Sequence, residues 1–341
     1  MPAPTVAFEL YDAIYRYLEQ QGIAESALCA ALGIRSRRDG MIHERVPLNL
    51  FEQAFVAAEE LTGDSVIGLR MGQAGFPPPD GVFRALSIAG PSVREIMAAF
   101  TRYFPLAYDF INLDLRSEDD ALKVRLRYPH RRRPHRHVLE HLLAGWYMAA
   151  NQLTFDELRV PRVVYVQHLQ LCPDDVLADV FHSTPVRFGQ AEDGFDVKVE
   201  SLDYHTGQTD EDAFRLSERK AEDLLLRLRA NDRIAREIST HVEAMLEEGL
   251  PTLEAVARRM NCSGRTLQRR LAERHLNYQM LLDRVRQDVA VELLANTSLP
   301  ITRIAERIGF TDDSTFHRAF KRWTGESPGA YRLHAPLAAE Q

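Results

Sequence analysis

Residues 253–274 read LEAVARRMNCSGRTLQRRLAER, and residues 301–322 read ITRIAERIGFTDDSTFHRAFKR. Leu253, Val256, Ala257, Arg259 and Met260 of the first stretch recur 48 residues later as Ile301, Ile304, Ala305, Arg307 and Ile308. Further on, Leu267, Arg269 and Leu271 return at an offset of 49 as Phe316, Arg318 and Phe320, so the later copy holds one more residue in its turn. A length change at a turn, with both flanking patterns kept, is what a folded duplication tolerates. Each copy is therefore expected to be helix, tight turn, helix. Gly309 and Asn261 stand where a first helix must close in the left-handed region, which glycine and asparagine enter at least cost. Ser263, and either Asp312 or Asp313, are the candidate N-caps of the second helices.

Between the copies, residues 278–295 keep Leu281, Leu282, Val285, Val289, Leu293 and Leu294 on an apolar side. At about 1.5 Å per residue this is a rod of roughly 27 Å. B-DNA repeats about every 34 Å, so with its turns such a rod can set two reading helices into consecutive major grooves. Tight turns, a small buried alanine and second helices rich in Arg, Gln, Ser and His fit DNA-reading helix-turn-helix units.

Outward from this duplication the texture changes. Residues 6–21, 48–62 and 92–104 carry apolar residues at helical spacing, and the Pro77–Pro78–Pro79–Gly81 breaker separates the last two. Residues 109–116 and 122–128 read as a hairpin about the turn Glu118, Asp119 and Asp120. After a helix over 134–153, residues 162–167, 186–188 and 195–199 are further strand candidates. The expected fold is an α+β N-terminal domain, helices with a small antiparallel sheet, followed by an all-α C-terminal domain with two helix-turn-helix units joined by a linker helix. The expected divisions are 1–209, a helical connector 210–231, the DNA-binding domain 232–334, and a tail 335–341.

Charge sorts the chain the same way. Residues 232–334 carry 16 Lys+Arg against 14 Asp+Glu, a net of +2, which leaves −9 for the rest of a chain whose total is −7. Nucleic-acid affinity is expected at one end, carried by positioned arginines. Three scattered cysteines, Cys29, Cys172 and Cys262, supply neither a disulfide framework nor a four-cysteine zinc site. With no basic, apolar leader and no run of about 20 apolar residues, a cytoplasmic protein without membrane contact is expected.

The stretches SGRTLQRRLAE (263–273), LLDRVRQDVAVELL (281–294) and ITRIAERIGFTDDSTFHRAFKRWTGESPGAYR (301–332) resemble the DNA-binding domain of AraC-type transcription regulators. The resemblance spans residues 232–333, with Gly309, Phe310, Phe320, Gly325, Pro328 and Tyr331 in register. Residues 45–48, 61–71 and 185–189 resemble the helical-plus-sheet, arabinose-binding-like sensor domain of one branch of that family. One departure is His275, where many members have glycine; Asn277 remains available to cap the linker helix. The resemblance implies a sequence-specific DNA-binding transcription regulator, an activator under a small-molecule effector, acting as a homodimer on double-stranded operator DNA with RNA polymerase as partner.

The family pattern puts base reading at Arg265, Gln268 and Arg269 in copy one, and its matching face in copy two is Asp313, Ser314, His317 and Arg318. Arg pairs with guanine and Gln with adenine in the major groove. Asp313 either accepts from a cytosine amino group or caps its helix, with capping the plainer reading. Arg270, Lys321 and Arg322 suit phosphate contacts, which position without specifying. Leu267, Leu271, Phe316, Phe320 and Trp323 are assigned to core.

For the effector, Phe104, Tyr108, Trp146 and Tyr147 are candidate pocket residues, set against the plainer reading that aromatic stripes are core. The run Arg131, Arg132, Arg133, His135, Arg136 and His137 is a candidate carboxylate site, set against a solvated loop. His137 and His141 are half a metal site, with Glu140 directed elsewhere, so neither metal nor cofactor is expected. The rival reading is an alkyl-transfer repair enzyme, which needs a clustered thiolate that these cysteines do not supply; phosphate-loop, Gly-x-Ser-x-Gly and His-Glu-x-x-His motifs are absent too. The chain is thus expected not to be an enzyme.

Overall fold

The computed structural model describes residues 4–39, 41, 45–74, 81–129, 133–153, 161–205, 210–246, 251–274, 276–324 and 326–334. The proline breaker at 77–79, Arg131, Arg132, His275 and Gly325 lie outside these. The chain divides into two compact units, one made of Pro4–Gly40 with Arg45–Arg227, the other mainly of Leu228–Gln341.

The first unit begins with a two-stranded ribbon absent from the sequence reading: β1 (Thr5–Ala7) pairs antiparallel with β2 (Arg45–Pro47). Arg45 holds it to the chain beyond. Its Nε donates to Thr5 Oγ1 at 2.7 Å and its Nη1 to the Leu106 carbonyl at 2.5 Å, while the Thr5 amide donates to Asp109 Oδ1 at 2.6 Å. Three-residue strands carry too little pattern to be read from sequence.

The hairpin is present as β3 (Asn112–Glu118) and β4 (Ala121–Arg127), with Glu118 opposite Ala121 and Asp119 at φ 50° in the turn. Aspartate tolerates that left-handed conformation. With β5 (Val163–Tyr165), β6 (Val186–Arg187) and β7 (Gly194–Lys198) they form one sheet in the order β3-β4-β7-β5-β6. All pairs are antiparallel except β5 with β6 at one edge. The helix Val93–Tyr103 starts at a side-chain cap: Ser92 Oγ accepts from the Glu95 amide at 3.4 Å and donates to Glu95 Oε2 at 2.9 Å.

The helix Arg136–Leu153 is the core of this unit, with Val138, Leu139, Leu142, Leu143, Trp146 and Tyr147 all buried. Helix Ile67–Ala74 lies against it through two glycines one turn apart. A Cβ at Gly68 would sit 2.6 Å from the His137 carbonyl oxygen, and one at Gly72 would sit 2.6 Å from that of His141. Gly72→Ala should therefore force the two backbones apart and destabilise this unit by about 1–3 kcal/mol, read as a lowered urea midpoint of the full chain. An unchanged midpoint would mean that the helices are not held this close.

The second unit is entirely helical among its described residues. Helix Glu211–Leu246 crosses the expected division at 231/232 without a break. It buries Phe214, Ala221 and Leu225 before that point and Ala235, Ile238, Val242 and Leu246 after it. Six further helices follow: Leu253–Arg259, Gly264–Ala272, Tyr278–Asn296, Ile301–Arg307, Asp313–Thr324 and Pro328–His334. Two separate cores form. In the first, Ala235, Ile238, Val242 and Leu246 meet Val256, Ala257, Leu267, Leu271, Leu281, Leu282 and Val285. In the second, Ala290 and Leu294 meet Ile304, Ala305, Ile308, Phe316, Phe320 and Trp323. The linker helix Tyr278–Asn296 gives one half to each, and Val289 packs against both.

Candidate nucleic-acid interface

The duplication seen in sequence is repeated atom for atom at the turns. In copy one the Cys262 amide donates to the Ala257 carbonyl at 2.9 Å and the Asn261 amide to that of Arg258 at 3.1 Å. In copy two Phe310 donates to Ala305 at 2.9 Å and Gly309 to Glu306 at 2.9 Å. Both are the paired six-to-one and five-to-two closures that end a helix with a left-handed residue. Asn261 has φ 52° and Gly309 φ 81°, as their chemistry required.

The second helices then start at side-chain caps. Ser263 Oγ accepts from the Thr266 amide at 3.1 Å. In copy two the cap is Asp312, whose Oδ2 accepts from the Thr315 amide at 2.8 Å, Thr315 Oγ1 at 2.6 Å and Ser314 Oγ at 2.7 Å. Those three donors, with Thr315 foremost, hold the Asp312 carboxyl down at about 2 from its ordinary 3.8. Its capping contribution is thus complete above its ordinary value and fades as pH falls through about 2. The capping role weighed for Asp313 is thereby corrected. Asp313 is the first helical residue and is exposed, because the one added residue of this turn, Thr311, moves the cap to Asp312.

Leu267 and Leu271 bury one face of the first reading helix, and Phe316, Ala319, Phe320 and Trp323 that of the second. Everything opposite is exposed: Arg265, Gln268, Arg269 and Arg270 in one, Asp313, Ser314, His317, Arg318, Lys321 and Arg322 in the other. Arg269 Nε lies 3.7 Å from Glu273 on its own helix, and Arg318 Nε donates to the Ser314 carbonyl at 3.4 Å. Arg322 reaches Asp283 of the linker helix at 3.3 Å. These exposed contacts are weak and open to exchange for a stronger anion. Among the described residues, the Arg265, Gln268 and Lys321 side chains make no hydrogen bond or ion pair within the protein.

The linker helix is capped by Asn277, whose Oδ1 accepts from the Gln279 amide at 2.8 Å. Its 19 residues span about 28 Å. From it comes a residue that sequence reasoning missed. Arg286 is 9% exposed, donates from Nε to the Ile308 carbonyl at 2.9 Å and from Nη2 to that of Gly309 at 3.2 Å, and lies 4.9 Å over the Phe310 ring. It thus satisfies the carbonyl end of helix Ile301–Arg307 and ties the second turn to the linker. Its only sequence signal was a cation on a side of the helix otherwise apolar. Arg332, on the last helix, donates to the Leu299 carbonyl at 2.6 Å and closes the same core from the far end.

In the first unit, a cavity of about 80 Å³ lies between the sheet and the helices Val93–Tyr103 and Arg136–Leu153. Trp146 and Tyr147 line it; Phe104 and Tyr108 do not. Those two are buried behind it, the Phe104 ring centroid 5.2 Å from that of Trp146 and 5.4 Å from that of Tyr108. Of the basic run, Arg133 is exposed ahead of the helix, whereas Arg136 and His137 turn inward. His137 is fully buried between Glu59 (Nε2 to Oε2, 2.8 Å) and Glu140 (Nδ1 to Oε2, 3.2 Å), and Arg136 reaches Glu59 at 3.2 Å and Glu140 at 3.5 Å. Glu140 therefore faces His137 rather than elsewhere. The Glu59 carboxyl is held low by His137 and Arg136 against the opposing effect of burial. Burial alone pushes His141 down to about 4. Among the described residues no three His, Cys, Asp or Glu side chains are grouped to hold a metal ion, and no helix is long and apolar enough to cross a membrane.

A helical unit with two capped, outward-facing helices and an α+β unit holding a small cavity define a two-domain architecture. Comparison with known proteins agrees. The model of the arabinose-binding domain of AraC transcription regulators matches residues 22–206, and that of a helix-turn-helix domain matches residues 256–334. The chain belongs to the AraC-type transcription regulators and is a DNA-binding helix-turn-helix protein. It is 26% identical over 326 residues to the ornithine utilization regulator of Pseudomonas aeruginosa, covering 94% of each chain. It is 30% identical over 177 residues to the transcriptional regulator VirS of Mycobacterium tuberculosis, covering 52% of this chain and 51% of that one. The crystal structure of the regulator CdpR from Pseudomonas aeruginosa aligns over 96% of this chain and 98% of that one, with TM-score 0.42 and 23% identity.

Replacing Arg286 by methionine keeps the apolar stem but removes the donor to the buried Ile308 carbonyl and the half-buried Gly309 carbonyl. We expect a loss of about 2–3 kcal/mol in the stability of the second unit, by urea unfolding, with weaker DNA binding in gel shifts. Wild-type behaviour in both would show that the second turn holds without Arg286.

Proposed function

We propose that the two reading helices, Gly264–Ala272 and Asp313–Thr324, enter consecutive major grooves on one side of an operator and read it differently. Arg265, Gln268 and Arg269 address base edges in one groove; Ser314, His317 and Arg318 address those in the next. Asp313, relieved of capping by Asp312, accepts from a cytosine amino group at the edge of that groove. Arg270, Lys321 and Arg322 bind phosphates and fix register. The observation that carries this reading is the pairing of a buried apolar face with an exposed polar one in both copies, each started by a side-chain cap.

The α+β unit senses a small effector in its cavity, and the chain acts in the cytoplasm as a homodimeric activator that contacts RNA polymerase. The dimer and the polymerase contact rest on family analogy; two copies would double the phosphate contacts and steepen the salt dependence. A regulator rather than an alkyl-transfer enzyme is favoured by the thiols. Cys29 and Cys172 are buried, burial pushes the Cys172 thiol up, and Cys262 packs against the first helical core.

Gel shifts on a duplex selected from random sequence test the assignment. Arg269→Ala and Arg318→Ala should each cost about 1–3 kcal/mol on the selected duplex and flatten base preference at one position. Lys321→Ala should weaken selected and random duplexes alike and lower the salt slope by about 1. Equal losses on both duplexes for all three variants would overturn the division between reading and positioning residues.

A further inference from the structure

We propose that two copies of this chain join at the outer edge of β3, where Asn112–Glu118 pairs antiparallel with the same strand of a second copy about a two-fold axis through Leu115. The proposal rests on the homodimer reading above and gives it a surface.

β3 ends the sheet order β3-β4-β7-β5-β6, and among the described residues only β4 pairs with it. Asn112 and every residue from Leu115 to Glu118 are exposed. Leu113 lines the cavity, yet Leu115, next along the same face, is 37% exposed. A seven-residue edge of about 24 Å carrying an outward leucine is what folded proteins commonly shorten, twist or cover.

The direction of the backbone groups fixes which registers are open. Opposite Leu113, Leu126 donates its amide away from β3, to the Asp193 carbonyl at 2.9 Å. Leu113 and Leu126 therefore face each other without exchanging bonds, and the amide and carbonyl of Leu113 point off the sheet. Alternation along the strand sends those of Leu115 and Ser117 the same way. The two-residue turn at Asp119 and Asp120 agrees, since such a turn closes on a bonded pair, here Glu118 and Ala121. Two copies can exchange hydrogen bonds only where Leu113, Leu115 and Ser117 meet one another. With the axis through Leu115, Leu115 meets the partner's Leu115 and Leu113 meets the partner's Ser117, giving about six new bonds. Axes through Leu113 or Ser117 leave fewer β3 residues paired.

Side-chain charge selects the same register. On the other face, Asp114 comes to lie opposite the partner's Arg116, and Arg116 opposite the partner's Asp114. Within one copy Arg116 lies 2.6 Å from Asp114 of its own strand, and Arg127 lies 3.0 Å from the same carboxylate. The contact between Arg116 and Asp114 is at the surface and worth little, so Arg116 can turn to the partner while Arg127 stays. A charged edge of one sign repels a second strand. An edge whose signs invert about its centre attracts its own copy, and the two Leu115 side chains then cover each other.

Sedimentation equilibrium of the full chain tests this. The wild type should dimerise weakly, with a dissociation constant on the order of micromolar, and less tightly at high salt. Asp114→Lys and Arg116→Glu each set like charges opposite one another at both ends of the pair, and each should weaken the dimer about tenfold or more. Mixed in equal amounts, the two variants should pair with one another about as tightly as the wild type, because each meets the other with complementary signs. That recovery also shows that both are folded. Ser117→Pro removes an amide that the sheet does not use, and should weaken the dimer without lowering the thermal midpoint. A wild-type dimer unchanged by these substitutions, or two weakened variants that fail to pair when mixed, would overturn the β3 surface and leave the homodimer reading standing. A wild type that stays monomeric, both alone and on operator DNA, would remove the homodimer reading as well and leave this edge to a strand of another protein.

Discussion

Neither helix-turn-helix copy can bury its own apolar face alone. Helices of seven and nine residues, Leu253–Arg259 and Gly264–Ala272, leave Val256, Ala257, Leu267 and Leu271 on one side with nothing beyond them in the motif to cover it. The cover comes from a third helix shared with the neighbouring copy. Tyr278–Asn296 presents Leu281, Leu282 and Val285 to the first core and Ala290 and Leu294 to the second, with Val289 touching both. Small cores of this kind are marginal by themselves. Sharing one rod makes the two mutually dependent, and the same rod then sets how far apart the reading helices stand. Stability and the spacing of the two outward-facing helices are in this way consequences of a single packing requirement.

The two copies meet that requirement with different chemistry. Copy one leans on the end of the long helix Glu211–Leu246 through Ile238, Val242 and Leu246. Copy two has no such partner before it and relies on aromatic bulk, with Phe310, Phe316, Phe320 and Tyr331 in edge-on or tilted contact. It also takes Arg286 from the linker and Arg332 from the last helix as donors to backbone carbonyls. A buried guanidinium is costly to desolvate, and burial does depress it. Two carbonyls, a ring face and Asp283 at 3.9 Å offset that cost. The exposed faces also diverge, arginine and glutamine in one copy and serine, histidine and arginine in the other.

What could be read from the chain alone followed the range of the interactions. The repeat, the left-handed Asn261 and Gly309, the Ser263 and Asn277 caps and the buried alanines are set by residues within a few positions of one another. Those features are legible to periodicity and turn chemistry. Asp312 against Asp313 was the hardest of these local choices, since both are good caps and only the true length of the turn separates them. Long-range features were not legible. Arg286 finds the Ile308 carbonyl 22 residues away, and Arg45 finds Leu106 at a separation of 61. His137 finds Glu59 at 78, which draws the end of the basic run into an ion cluster. The cavity is of the same kind: its lining comes from helices and strands spread from Ser87 to Val197, so Trp146 and Tyr147 could be named as candidates but not distinguished from Phe104 and Tyr108.

If one stiff helix fixes the spacing of the two reading heads, the separation of their sub-sites on DNA is fixed as well. Gel shifts on a selected operator with about 5 or about 10 base pairs inserted between the sub-sites measure this directly. The half-turn insertion moves the second sub-site to the opposite face, and the full-turn insertion moves it along the same face beyond the reach of a 19-residue rod. Both should reduce affinity to that of a single sub-site. Full affinity on either altered duplex would contradict the claim that a shared linker core sets how this protein reads DNA.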